Sequence, residues 1–262
     1  MRHKLHLFWT FMRIGILNEL AYRMNFVVQL LQSGMSLVTA LAGFSIVFSH
    51  TDTLGDWGPN DILALLGVYL INGGLVALLI RPSMSQLMED VRQGTLDYTL
   101  TKPEDSQLLV SINQVRIWKL TDFVLGSIVL GYAIFHKGLE VGFTDALGFT
   151  IGLLCGGAIV YGFFLVLATL SFWFIRIENI LVIFDAMYQA GRWPVGLYPY
   201  WLRFVLTFIV PISFAITVPA EALIGRLDAQ TLALDIGVAA FMLVGSRYFW
   251  KFGLRNYSGA SA

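Results

Sequence analysis

The sequence is poor in cysteine, in charge and in nucleotide-binding signatures. Its one cysteine is Cys155, so no disulfide can close within the chain and the redox compartment is not written in it. Charged residues make up 13% and hydrophobic ones 57%, against roughly 25% charge in an ordinary soluble domain. Mean hydropathy is +0.72. Lys+Arg and Asp+Glu balance at 17 each, which gives no reason to expect a nucleic acid or a strongly charged partner. No G-x-x-x-x-G-K-[ST] loop, G-x-G-x-x-G fingerprint, G-x-S-x-G elbow or H-E-x-x-H pair occurs, so neither nucleotide binding nor those hydrolytic chemistries are expected of this chain. His3, His6, His50 and His136 pair with no Cys or acid at metal-ligand spacing, and no metal or other cofactor is expected.

What is present is oil, in runs long enough to cross a bilayer, which takes about 20 apolar residues. The expected fold is all-α and polytopic, one membrane domain over residues 1–262 with six spans at about 24–49, 61–80, 117–135, 144–173, 203–219 and 230–249. Residues 1–23 are too charged to span. Leu5, Phe8, Trp9, Met12, Ile16 and Leu20 recur at helical spacing there, between Lys4, Arg13, Glu19 and Arg23. That pattern predicts a helix lying in the interface. No short apolar core leads to a small-residue cleavage site, so a signal peptide is not read here.

Orientation follows from the basic residues. With both termini on the cytoplasmic side, fifteen Lys and Arg residues fall inside and only Lys137 and Arg226 outside. The stretch 174–202 is mixed. Glu178 to Gln189 suits a helix, then Gly191, Pro194, Gly196 and Pro199 break it. It reads as a cytoplasmic-side interfacial helix and turn, with Arg192 and Arg203 inside; a short additional span is the alternative, and it needs a compensating crossing to preserve the charge pattern.

Polar residues at membrane depth are the first functional candidates. Asp122, Asp185, Glu221 and Asp235 are each expected at headgroup level, solvated or paired with a nearby cation. Asn72, beside Gly73 and Gly74, suits a bond across a helix interface. Gly148, Gly152 and Gly156 form two overlapping G-x-x-x-G steps, a flat face for close packing within the subunit or between copies. Pro211 and Pro219 free backbone carbonyls that need partners. They fit either a kinked span or a helix that dips back into the outer leaflet.

The longest polar run is Arg81 to Lys119, between two spans, with five basic and five acidic residues. Ser83 to Arg92 forms a short helix with Met84, Leu87, Met88 and Val91 apolar, and Gly94 stops it. Leu96, Tyr98 and Leu100 then alternate with Asp97 and Thr99 until Lys102-Pro103. So short an amphipathic helix gains little alone and is expected to plug a groove on another protein.

These residues resemble a family. GTLDYTLTKP, preceded by Arg81-Pro82, is similar to the first cytoplasmic loop of ABC type-2 exporter permeases. So are Glu19 to Phe26 and the run from Tyr198 to Arg226, in the same order and around six spans. The resemblance implies a permease subunit in a bacterial plasma membrane, paired with a second permease, alike or different. ATP would be bound by ATPase subunits on separate chains. A coupling hairpin at 81–116, with Met84, Leu87, Met88, Val91, Gly94, Leu96, Asp97, Tyr98, Leu100, Lys102 and Pro103, would dock on the ATPase. Outer re-entrant helices would carry Pro211, Pro219 and Glu221 at an outer gate. An ion-coupled carrier and a membrane-embedded lipid-modifying enzyme are the alternatives. The first needs paired broken helices in two matching halves. The second needs a His, Asp or Ser cluster near one leaflet, which is not evident.

Overall fold

The computed structural model describes residues 9–10, 13, 16–17, 23–137, 142–174 and 178–257. Among them the chain is helical throughout, with no strand beyond a single Leu54–Trp57 bridge. Five helices are long and apolar enough to cross a membrane, and one bent pair adds to them. The chain is an all-α polytopic membrane protein. Of the expected N-terminal helix, Trp9, Thr10, Arg13, Ile16 and Leu17 are helical; Leu5, Phe8, Met12 and Leu20 lie outside the described residues.

Helix α1 is Arg23–Phe48. Helix α2, Pro59–Leu75, passes through a π-helical turn at Val76–Ile80 directly into α3, Arg81–Gln93. These 35 residues form one continuous rod about 50 Å long, so the second span does not end at residue 80. A short α4, Leu96–Leu100, and α5, Ser106–Ser111, return the chain to α6, Leu120–Lys137. Then come α7, Phe143–Leu170, and α8, Glu178–Ala190. Helix α9, Tyr200–Phe204, runs into a π turn at Val205–Ile209. A second π turn, Ser213–Thr217, opens into α10, Val218–Leu223. The chain closes with α11, Ala229–Asn256.

Acids start the helices that begin at the end of the bundle opposite the 81–116 hairpin, here the far end. Asp61 accepts the amide of Gly58 (3.1 Å), Asp145 that of Gly142 (3.0 Å), and Asp228 that of Thr231 (3.0 Å). Each satisfies an amide at a helix N-terminus, where a negative charge also suits the helix dipole. Helix α2 is the centre. Ile62, Leu65, Leu66 and Val68 are buried in one core with Phe164 and Leu165 of α7 and Ile212 and Ala215 of the bent pair. Glycine sets how close its neighbours come. A Cβ on Gly67 would lie 2.9 Å from the backbone of Leu130, and one on Gly126 would lie 2.7 Å from that of Ile71.

Helix α1 contributes little to this core. Met24, Leu31, Met35, Val38 and Ile46 remain exposed on it, as do Phe241, Val244, Tyr248 and Phe252 on α11. Such apolar flanks suit lipid or a second subunit.

The expected fifth span is corrected. Tyr200–Ile209 and Ser213–Leu223 meet at an angle of 80°, and both outer ends of the pair lie at the far end. Leu197 sits against Gly55 in the α1–α2 loop, and Arg226 pairs with Asp61 (3.2 Å) and covers the Trp57 ring. Between them the pair reaches down only to Asn72, partway along α2. Residues 203–219 therefore go in and come back. The segment that runs the length of the bundle is Glu178 to Leu197. It starts past the α7 end, where Phe172 and Trp173 stack with Trp250 and Phe252. It ends beside Gly55. The interfacial reading of 174–202 fails for the same reason. Arg192 and Arg203 are two of the fifteen basic residues assigned to the inside. Arg192 lies at mid-bundle against Ser36 and Tyr69, and Arg203 bonds the carbonyl of Gly196 beyond it.

The three spaced glycines of α7 face this bent pair. Gly148 lies beside Ala222, Gly152 beside Pro219 and Gly156 beside Ala215, so the flat face serves packing within the subunit. A Cβ on Gly156 would stand 2.7 Å from the Ala215 Cα, whereas one on Gly157 meets nothing within 4 Å. Gly156→Ala should therefore cost roughly 1–3 kcal/mol and lower the thermal midpoint of the detergent-purified chain. Gly157→Ala on the same turn meets open space and should not lower the midpoint, raising it slightly if anything changes.

Candidate functional site

Pro82 shows how the hairpin is attached. A proline inside a helix has no N–H to give, and its ring crowds the carbonyl four residues back. The π turn at Val76–Ile80 widens the helix at that point, and the stranded carbonyl of Leu78 accepts the amide of Arg116 (2.9 Å). The returning end of the hairpin is thus tied to the helix from which it left. Ser83 adds two bonds to the backbone of Gln114, at 2.9 and 3.2 Å. Gly94 ends α3 in the left-handed conformation, φ 70°, and the Thr95 amide folds back to Asp90 (2.9 Å).

The expected docking stripe is corrected in part. Met84, Leu87 and Met88 are buried, as is Leu96, because α3 packs on α7 and α5 of its own chain. They are not available to a groove elsewhere. The alternation at Leu96, Tyr98 and Leu100 is real, but the segment is a single helical turn. Leu96 points in and Tyr98 is 76% exposed. The surface of the tip is Tyr98, Thr101, Lys102 and Pro103, with Asp97 and Leu100 half-buried beside it and Val91 and Gly94 behind.

A charged network fixes this tip to the last helix. Arg247 of α11 donates to both oxygens of Asp105 and to Gln107 Oε1 (2.7 Å). Asp105 caps α5 by accepting the amides of Gln107 (3.0 Å) and Leu108 (3.3 Å). Gln107 donates to the Tyr161 hydroxyl of α7 (3.0 Å), which also bonds Ser111 (2.8 Å). The Arg247 guanidinium, helped by the backbone amides, holds the Asp105 carboxyl below the usual carboxylate range.

At the far end, Pro219 repeats the device of Pro82. The π turn at Ser213–Thr217 precedes it, and the carbonyl it strands, Ala215 O, accepts the Asn72 side-chain amide (2.6 Å). Asn72 therefore bonds across a helix interface, as its position suggested. Pro219 is buried against Gly152, Glu221 is half-buried on the same short helix, and Pro211 lies at the 80° bend.

The acids separate into two kinds. Asp122 accepts from Ser33 and pairs with Lys119 (3.3 Å), and Asp185 pairs with Arg81, each with the nearby cation expected of it. Asp235 is fully buried beside Cys155 with neither oxygen bonded. Asp122, Lys119, Arg81 and Asp185 line one cleft of about 370 Å³ between α1, α2, α6 and α8. Sequence reading missed this cleft, because it placed α8 outside the bundle. It also missed the Asp61–Arg226 pair, although Asp61 and Arg81 stand twenty residues apart, about 30 Å along a helix and close to the thickness of a bilayer core.

Residues 35–261 match a family model described as ABC-2 family transporter protein. No curated protein and no solved structure matches the chain.

The Asp105–Arg247 link sets a pH expectation. A carboxyl whose folded pKa is depressed adds stability above its unfolded pKa and loses it as pH falls through the folded one. The protection factors of the amides from Gln107 to Ser111 should be equal from pH 8 to pH 5 and should fall only below about pH 4. Arg247→Gln should lower them from pH 8 to pH 5, and the difference should close below about pH 4.

Proposed function

We propose that this chain, which belongs to the ABC-2 transporter family and is a permease subunit of an ABC transporter, works as the membrane half of an exporter. It is driven by an ATPase on a separate chain. The observation that carries this reading is the hairpin. It presents Tyr98, Thr101, Lys102 and Pro103 to solvent, yet it is fastened to the bundle by Leu78, Gln114 and Arg247. A tip anchored so firmly is suited to pass on force, and the sequence carries no nucleotide loop of its own.

The roles follow from that arrangement. The exposed tip, with Asp97, Leu100, Val91 and Gly94 around it, docks on the ATPase. Met84, Leu87, Met88 and Leu96 hold the hairpin's shape from within. The pair 200–223, with Pro211, Pro219 and Glu221, closes the outer mouth. The hairpin side is cytoplasmic, in the plasma membrane of a bacterium, and two permeases, alike or different, pair through their apolar flanks. An ion-coupled carrier would call for matching broken helices in two halves; among the described residues one bent pair occurs.

Affinity purification of the full chain in mild detergent should bring down a second chain with a Walker A loop and no spans. Tyr98→Glu or Asp97→Arg should weaken that association by roughly tenfold or more while the permease stays in the membrane. Full transport by the isolated chain in bare liposomes would overturn the reading.

A further inference from the structure

The cleft between α1 and α8 carries an unmatched positive charge. Its charged lining comprises Arg81, Lys119, Arg192, Asp122 and Asp185. Four of these neutralise one another as Arg81–Asp185 and Lys119–Asp122. Among the described residues no carboxylate pairs with Arg192. Its guanidinium donates to the Ser36 hydroxyl (3.2 Å) and lies 5.3 Å from the centre of the Tyr69 ring. Its Nε is buried and has no acceptor.

The depth makes this costly. Ser36 is the midpoint of the 26-residue α1. Tyr69 lies eight residues from Asp61 and twelve from Arg81, about 12 and 18 Å along α2. Arg192 thus sits near the middle of the span, where an uncompensated cation is expensive and marks a pathway or a ligand. A single hydroxyl and a ring face do not offset a guanidinium's five donors.

We infer that Arg192 is the anchor of a binding site for an anionic group of phosphate or carboxylate type, carried by a membrane amphiphile. The guanidinium offers a planar fork that matches such groups. Ser33, Ser36 and Gln32 from α1 and Gln189 from α8 add polar groups around it. The volume, about 370 Å³, lies at the low end for ligand pockets, roughly 300–1,000 Å³. That suits a headgroup and excludes two acyl chains. The chains lie outside, where Val182 and Ile183 of α8 and Leu31 and Met35 of α1 are exposed and apolar on the two helices that flank the cleft. As a statement of substrate class this rests on the permease reading; the binding itself does not, so the test needs no ATPase.

The full chain, purified in a neutral maltoside detergent, is titrated with dioctanoyl phosphatidic acid, dioctanoylglycerol and inorganic phosphate, with thermal midpoint and binding isotherm as readouts. Phosphatidic acid should bind and raise the midpoint, and dioctanoylglycerol should not. Arg192→Gln should weaken phosphatidic acid by roughly tenfold to a hundredfold, Arg192→Lys by less, and Arg203→Gln not at all. Gln189→Glu, which places a carboxylate one turn before Arg192, should silence the site in a folded chain and decides the matter if Arg192→Gln does not fold. Equal binding of dioctanoylglycerol, or an unchanged response in the Arg192→Gln and Gln189→Glu chains, overturns the site. An equal midpoint shift from inorganic phosphate overturns the amphiphile. If Arg192→Gln instead splits a dimer and phosphatidic acid never bound, the anion is a partner subunit's carboxylate and the inference fails.

Discussion

In hydrocarbon a backbone carbonyl without a donor has no water to turn to, and the chain answers that constraint twice in the same way. Pro82 strands Leu78 O and Pro219 strands Ala215 O, each just after a π turn. The donors that repair the damage come from elsewhere in the sequence, the Arg116 amide and the Asn72 side chain. Each repair is also a tether. One ties the end of the hairpin to the central helix, and the other ties the bent pair to it. The two devices attributed to transport are therefore both fastened to the rod of α2 and α3.

Ion pairs mark two levels along that rod. Asp61 meets Arg226 at one and Arg81 meets Asp185 at the other, about 30 Å apart. Asp61 and Arg81 belong to the rod and their partners to the bent-pair side and to α8, so the pairs fix how the bent pair and α8 sit against the rod. Their partial exposure keeps each one modest in energy. They act chiefly as registration marks.

The membrane class, the long apolar helices and the polar hairpin were legible because they rest on composition and run length. Asn72 and the Gly148–Gly152–Gly156 face were legible because small and amide residues at membrane depth have few other uses. Residues 174–223 were misread for a physical reason. Glu178–Ala190 is only thirteen residues long and carries Asp185, so it falls short of a span by length. Tyr200–Leu223 is apolar enough to imitate one. The charge rule then grouped Arg192 and Arg203 with the hairpin end, since it has no way to anticipate a guanidinium held in a cleft. Met84, Leu87 and Met88 misled in another way. An apolar stripe on a short helix shows that something covers it, and here the cover is α7 of the same chain.

The unbroken run from Asp61 past Arg81 to Gln93 also has a mechanical meaning. A rod about 50 Å long behaves as a crank: a tilt of some five degrees about one tip sweeps the other through about 4 Å. Asp61 and Trp57 ride at one tip and engage Arg226. Under the function proposed above, leverage applied at the hairpin would reach the lintel at Arg226 through this one helix.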